Sequence, residues 1–519
     1  MITPPDIVFK GRYRDFTLRW QDMVHLAFYG GIWTFIWLAF SPPLSDIRTH
    51  SALMIVGAFG LWRYSWWMLN FGRSQYYGRV VYPALRRYAN LSWLEGWRPR
   101  HVHFVMTTFH EHPWTTAKCL ESIFREVRDN GLAATLWIGT GADMDERVIR
   151  QWLETAPPAD VGVNFVRQNQ PGKRIAIGLT LRALSREFVH SDDIAILLDG
   201  DSVIMQGCLQ RCLSLMGADP KLKALTTDEE ALCIGPQWLQ KWLTMRFAQR
   251  RMWMQSHSLS RRVLTLTGRF SVFRAPLVVQ DEFIRLVESD HLNHWFWGDF
   301  RFLSGDDKST WYYLLRHRCD MLFVPDALVY TIERVEGKGL KRALDNTLRW
   351  SGNMLRNGMR AILLGPQVCK PYIWWCLIDQ RLTIWTTLAG FLTALSTMLF
   401  IKAQFFFTYV LWIMGTRFCM SSALFFYSRR IHVSYPFILY CNQLTLAFVK
   451  VWLMFRLPQQ RWANRLDQRG IDLSGPRINR LFPLYQNGLT MAALALALLL
   501  CLGVLRLPDV QQLIQVSPL

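Results

Sequence analysis

Ile194-Ala195-Ile196-Leu197-Leu198-Asp199-Gly200-Asp201 is the stretch that decides the fold of this chain. Five uninterrupted apolar residues read as a strand buried on both faces, as in parallel sheets covered by helices. In such sheets ligands bind beyond the carboxyl ends of the strands. Two carboxylates at i and i+2, on a chain just leaving a strand, can hold a divalent cation against a diphosphate. Asp-Gly is also ordinary turn chemistry. The pair alone leaves both readings open.

On either side of this stretch, residues 92–367 have the texture of an α/β domain. Short apolar runs at 103–106, 135–138 and 163–166 alternate with helical stretches at 116–130 and 173–188. That alternation predicts βαβ units and an open parallel sheet. Outside this block the chain is membrane-like. Hydrophobic residues make up 51% of the 519, Trp numbers 24, and the formal charge is +20. A nucleic-acid binder would not share its basic residues with long apolar runs, so no nucleic-acid partner is expected. Ten cysteines are scattered without a CxxC pair, and no disulfide framework or zinc site is indicated, the histidines at 101, 103, 110 and 112 included.

Residues 23–40 and 52–71 predict a transmembrane hairpin filling residues 1–91, each run near the ~20 residues a spanning helix needs. Arg63 interrupts the second run, either snorkelling or facing a protein interior. Arginines flank both ends, which places them and the following domain in the cytoplasm. Residues 343–363 and 371–380 read as amphipathic segments on the membrane surface. Residues 382–401 and 405–427 are two further spans, and 488–505 is a fifth. Residues 435–455 are apolar but end in an arginine-rich loop on the same side, so they are expected to lie along or dip into the membrane. Arg417, inside a span, either lines a polymer channel or forms a structural ion pair.

Four more constellations accompany the two aspartates: Met106-Thr107-Thr108-Phe109-His110-Glu111, Gln170-Pro171-Gly172-Lys173-Arg174, Ser304-Gly305-Asp306-Asp307-Lys308 and Asn346-Thr347-Leu348-Arg349-Trp350. Gly172-Lys173 is not a P-loop, because Arg174 replaces its Ser/Thr and Arg167 its first glycine. In order and spacing the set resembles the processive family 2 membrane glycosyltransferases that make cellulose, chitin and hyaluronan. Asp199 and Asp201 match the family's Asp-x-Asp; Gly305-Asp306-Asp307 match its catalytic motif. Asn346 to Trp350 match Gln-x-x-Arg-Trp, with Asn for Gln.

The resemblance implies an α-helical membrane protein carrying a cytoplasmic α/β GT-A domain with a Rossmann-like mixed sheet. It implies a motif helix at 343–357 and a channel region at 368–519. Asp201 and Asp199 would hold Mg²⁺ or Mn²⁺, and Thr108, Glu111, Lys173 and Arg349 would face the nucleotide diphosphate. Asp307, beside Asp306, would be the general base. Both also suit helix capping. Trp350, Asn346, Gly268, Arg269 and Arg417 would bind acceptor and polymer, although Trp350 also suits an interfacial anchor.

One departure matters. The family's uracil-contacting carboxylate after the second strand is replaced by Gly139-Thr140-Gly141-Ala142-Asp143, leaving Asp143, Asp145 or Glu146 for another base. Within the family the pattern is nearest the mannuronan-making, alginate-type members of the bacterial inner membrane. That implies GDP-mannuronate as donor and poly-β-(1→4)-mannuronate as product, with a UDP-sugar polymerase as the alternative. A uronate donor calls for an extra cation, and Lys308 is its candidate. Bacterial cellulose synthases carry a cyclic-di-GMP-binding PilZ domain after the last span. This chain stops there, so such control is expected from a separate PilZ-type subunit.

Overall fold

A computed structural model of the chain describes residues 18–39, 51–156, 159–169, 172–294, 297–335, 339–400, 404–460, 477–501 and 503. It opens with helices α1 (Trp20–Ala39) and α2 (Ser51–Tyr76). A π-helical turn (Tyr77–Val81) carries α2 into α3 (Tyr82–Leu94). Then follow β1 (Val102–Thr108), α4 (Pro113–Asn130), β2 (Ala134–Thr140), α5 (Asp143–Thr155), β3 (Val161–Arg167), α6 (Lys173–Leu184), β4 (Ile194–Asp199) and β5 (Ser202–Ile204). The domain continues through α7 (Cys208–Ala218), β6 (Leu222–Ile234), α8 (Gln237–Ser258), β7 (Phe270–Arg274), α9 (Ala275–Val278) and α10 (Asp281–Glu288). A small hairpin, β8 (His291–His294) and β9 (Gly298–Arg301), precedes α11 (Asp306–Arg316) and β10 (Asp320–Arg334). The remainder is helical: α12 (Gly339–Leu363), α13 (Gly365–Cys369), α14 (Pro371–Phe400), α15 (Gln404–Ser428), α16 (Tyr435–Met454) and α17 (Arg477–Cys501).

The main sheet runs in the order β3-β2-β1-β4-β7-β6-β10-β5. Its first four strands are parallel, as the βαβ alternation predicts. β7 then enters antiparallel between β4 and β6, and β5 pairs antiparallel with β10. The mixed sheet is the one the family resemblance implies, and the βαβ alternation alone accounts for its parallel half. β7 returns across the sheet after α8 rather than through another βαβ crossover.

Alternation along the strands divides the core. Phe104, Met106, Ile196 and Leu198 pack into one helical layer, and Val105, Ala195 and Leu197 into the other. All five apolar residues of β4 are buried, each large one contributing roughly 1.5–3 kcal/mol. Both layers hold Asp199 at the edge of the sheet where the strand stops.

Among the described residues α14, α15 and α16 contain stretches long and apolar enough to cross a membrane. The expected surface helix at 371–380 is instead the first third of α14. No Gly or Pro interrupts it between Tyr372 and Ala389, and Asp379 is bonded to Arg63 of α2, so neither charge needs the surface. α16 is one continuous helix. Just before its start His432 meets Lys241 of α8 (2.9 Å), and Trp242 donates to Asn442 on its third turn (3.0 Å). Just past its end Gln460 donates to the carbonyl of Arg301 (2.8 Å) and accepts from the amide of Leu303 (3.0 Å). Both of its ends thus touch the α/β domain. The arginine-rich loop at 461–476 lies outside the described residues.

α8 joins the two halves. Its Arg251 is fully buried, bonded to Asp228 (2.7 Å) and Glu230 (2.8 Å) of β6 and to the carbonyl of Tyr427 in α15 (3.1 Å).

Candidate active site

The turn after β4 is pressed against β1. Asp199 stands in register with Thr107, and the amide of Gly200 donates to the Thr107 carbonyl at 3.0 Å. A Cβ on Gly200 would come within 3.1 Å of Thr108. This turn leaves one carboxylate oxygen of Asp201, and the Thr108 hydroxyl, buried without a hydrogen-bond partner. Burial, and then the negative charges of Asp199 and Glu111, raise the Asp201 carboxyl to about 8. A dry carboxylate crowded by two others is a place that favours a divalent cation. Among the described residues no three His, Cys, Asp or Glu side chains gather into a complete metal cage. The donor set fits an ion that takes its remaining ligands from a substrate diphosphate and water, as Mg²⁺ does.

Lys173, the first residue of α6, places its ammonium 2.7 Å from Asp199 and 3.1 Å from Asp306. It ties the end of β4 to the start of α11. Gly268 faces the same three groups: a Cβ there would lie 3.0 Å from the Lys173 nitrogen, 3.6 Å from Asp199 and 3.7 Å from Asp306. Gly305 precedes α11 at φ +83°, a conformation that glycine adopts without strain, and a Cβ would strike Asn353 at 2.8 Å. Its carbonyl accepts from Arg174 (3.1 Å), which also donates to the Val287 carbonyl (2.7 Å). Arg174 is therefore a structural bolt.

The two carboxylates of α11 are pushed apart. Burial would raise Asp306, but Lys173 and then Arg174 outweigh it and hold the group below the usual carboxylate range. Asp307 is raised, by burial and then by Asp306. Adjacent acids with opposed environments are how sites separate a charge holder from a base. Lys308 is within electrostatic reach of Asp307, while its ammonium donates to the Leu264 carbonyl (2.7 Å) and lies 5.0 Å over the Trp311 ring. The charge expected beside a donor carboxylate is engaged there.

α12 supplies the last motif. Asn346 donates to Glu333 (3.0 Å) and accepts from Arg349 (3.3 Å), so the Asn in place of Gln braces the arginine. Arg269 pairs with Glu229 (3.1 Å) within electrostatic reach of Asp199 and Asp201. Trp350 stacks on Trp242, ring centres 6.2 Å apart and planes 19° apart. Of the carboxylates left for the nucleotide base, Asp145 accepts from the His110 amide (2.7 Å), and Glu146 holds Arg150 (2.6 Å) and Arg167 (2.7 Å). Both are engaged in structural contacts.

Arg417 of α15 lines a cavity of about 330 Å³ between α2, α8, α14, α15 and α16, as do Arg63 of α2 and Lys450 of α16. Among the described residues no Asp or Glu lines it, while Trp66, Trp67, Trp253 and Trp412 do. Arg417 donates to Gln443, which donates to Thr387 (2.9 Å); among the described residues it has no carboxylate partner. Sequence reasoning missed Glu229, Glu333 and Arg246. The signal for the first was present, since Asp228-Glu229-Glu230 interrupt an otherwise buried strand between Leu225 and Ala231. Arg246 carried none.

Residues 99–353 match the family model described as Glycosyltransferase like family 2. The Glycosyltransferase alg8 of Pseudomonas syringae pv. tomato is 36% identical over 441 residues, 84% of this chain and 89% of that protein. This chain belongs to the family 2 glycosyltransferases. A second Glycosyltransferase alg8, from Azotobacter vinelandii, is 36% identical over 430 residues, 82% of this chain and 87% of that one. Among solved structures, the mannosyltransferase PcManGT from Pyrobaculum calidifontis, in complex with GDP-Man and Mn²⁺, aligns with 74% of this chain and 99% of its own (TM-score 0.47, 17% identity). In this glycosyltransferase the matched segment contains Asp199, Asp201, Asp306, Asp307, Arg349 and Trp350, and stops before α14.

Proposed function

We propose that this glycosyltransferase is a processive, inverting synthase. It joins mannuronate from GDP-mannuronate into poly-β-(1→4)-mannuronate, the alginate precursor, and feeds the chain across the bacterial inner membrane. The observation that carries the reading is the cavity beside the catalytic domain, lined by Arg63, Arg417, Lys450 and tryptophans and, among the described residues, by no acid. Aromatic faces suit the apolar C–H surfaces of sugars, and Arg417 and Lys450, which pair with no carboxylate among the described residues, suit a polymer with a carboxylate on every residue. The volume sits at the lower end of the ~300–1,000 Å³ range of ligand pockets.

Asp201 and Asp199 would hold Mg²⁺ or Mn²⁺, which would neutralise the diphosphate as it leaves. Arg349 and Arg269 add fixed positive charge on the same side. Asp307 takes the proton of the acceptor hydroxyl as that oxygen attacks the anomeric carbon, and one displacement inverts the centre. Lys173 holds Asp306 charged, and Asp306 in turn keeps Asp307 basic. Trp350 supports the acceptor sugar. The α/β domain, α12 and both ends of α16 lie on the cytoplasmic side; a separate cyclic-di-GMP-binding subunit is the proposed regulatory partner.

The test supplies membranes containing the enzyme with labelled GDP-mannuronate and labelled UDP-sugars separately. Label from GDP-mannuronate enters polymer. Incorporation only from a UDP-sugar assigns the chain to a hyaluronan- or cellulose-like synthase.

A further inference from the structure

Arg246 of α8 lies 4.5 Å from the centre of the Trp350 ring and 4.9 Å from that of Trp242. One terminal nitrogen of its guanidinium is buried with no hydrogen-bond partner. Its charged neighbours are Arg269 on one side and Lys450 on the other, both cations. Among the described residues no carboxylate pairs with it. Burial and Arg269 push the guanidinium down to about 10, the mark of a positive charge held dry and uncompensated. Two tryptophan faces offset part of that cost, yet they leave the buried N–H groups without an acceptor.

The direction of the side chain along its helix matters as much. Trp242, Arg246, Gln249 and Trp253 follow spacings of four, three and four residues, so they share one face of α8. Gln249 and Trp253 line the cavity that holds Arg417 and Lys450. Arg246 therefore stands between the tryptophan of the catalytic motif helix and the mouth of the cationic cavity.

We propose that Arg246 binds the carboxylate of the uronate at the growing end while its ring rests on Trp350, and so selects anionic acceptors. This deepens the synthase reading and rests on it. A guanidinium offers paired donors in the plane that a carboxylate accepts, and the ligand would satisfy the orphaned nitrogen. Arg246 is a specificity residue for the acceptor, with no contact to the diphosphate.

The test uses full-length enzyme in membranes, with oligomannuronate and carboxyl-reduced oligomannuronate as acceptors. Wild type prefers the carboxylated acceptor. Arg246→Gln raises the KM for oligomannuronate by about 10- to 100-fold, the range for loss of a hydrogen bond to a charged group. The KM for the reduced acceptor and the inhibition by GDP stay within about twofold of wild type, which also shows that the variant is folded. Arg246→Lys recovers part of the preference. Equal discrimination by wild type and Arg246→Gln overturns the inference, as does a wild type that prefers the neutral acceptor. A failure of the synthase reading shows separately, as wild type that transfers nothing from GDP-mannuronate to either acceptor.

Discussion

Replacing Lys173 by Met tests the joint between β4 and α11 most directly. The ammonium is 11% exposed and sits 2.7 Å from Asp199 and 3.1 Å from Asp306. Met keeps the length and packing and removes the charge, leaving two carboxylates facing each other. Breaking a buried pair in this way costs about 3–5 kcal/mol. For a domain of this size that is roughly 6–20 °C of melting temperature. The pH dependence is more diagnostic than the size. In the wild type Asp306 is held below its unfolded value, so its contribution is present above that value and fades as pH falls through the folded one. In the variant burial is no longer outweighed by Lys173 and raises the Asp306 carboxyl instead. The sign then reverses: the group's contribution is retained at low pH and lost as pH rises through its raised pKa. Thermal unfolding of detergent-purified protein, with divalent ions chelated, is followed between pH 5 and 8. Over this range Asp306 stays charged in wild type, so Lys173→Met gains more melting temperature on acidification than wild type does. Asp306→Asn in the Met background recovers stability at pH 8. Parallel pH profiles for the two proteins, or a Met variant within 2 °C of wild type at pH 8, would refute the reasoning.

Asp201→Ala and Asp307→Ala are each expected to abolish polymer synthesis while leaving membrane insertion unchanged, since each loss adds at least about 3–4 kcal/mol to the barrier. Near-normal synthesis by either variant overturns the roles assigned to them. Asp307 acts as a base in its unprotonated form and Asp306 helps raise its pKa, so Asp306→Asn should move the acidic limb of the rate profile to lower pH. An unmoved or rising limb contradicts that. Lys308→Ala removes the donor to the Leu264 carbonyl and is expected to cost about 1–3 kcal/mol of stability. Its KM for the nucleotide sugar should stay at the wild-type value; a large rise would place Lys308 beside the donor after all. Reporter fusions should find residues 47 and 519 outside and residue 470 in the cytoplasm, and a cytoplasmic residue 519 would mean that α16 crosses.

The parts of the fold legible in the sequence were those written in local pattern. The apolar run of β4, the Asp-Gly-Asp turn and the Gly-Asp-Asp start of α11 each announce themselves within a few residues. The position of β7 between β4 and β6 does not, because strand pairing across the long α8 insertion leaves no local period. The sequence separates a surface segment at 371–380 from a span at 382–401, but α14 runs through both, Asp379 and Arg381 included. Their polarity is met by Arg63 and by the Leu355 carbonyl, partners distant in sequence. Arg246 looks like any helical arginine; only the absence of an acid around it in three dimensions distinguishes it.

Arg251 joins the catalytic sheet to the last turn of α15 through Asp228, Glu230 and the Tyr427 carbonyl. With that clamp closed, the cutting edge and the exit bore are parts of one casting. A polymerase built so cannot inch along its product by swinging one half against the other. On the proposed synthase reading, movement of the polymer past the site is then left to the thread itself.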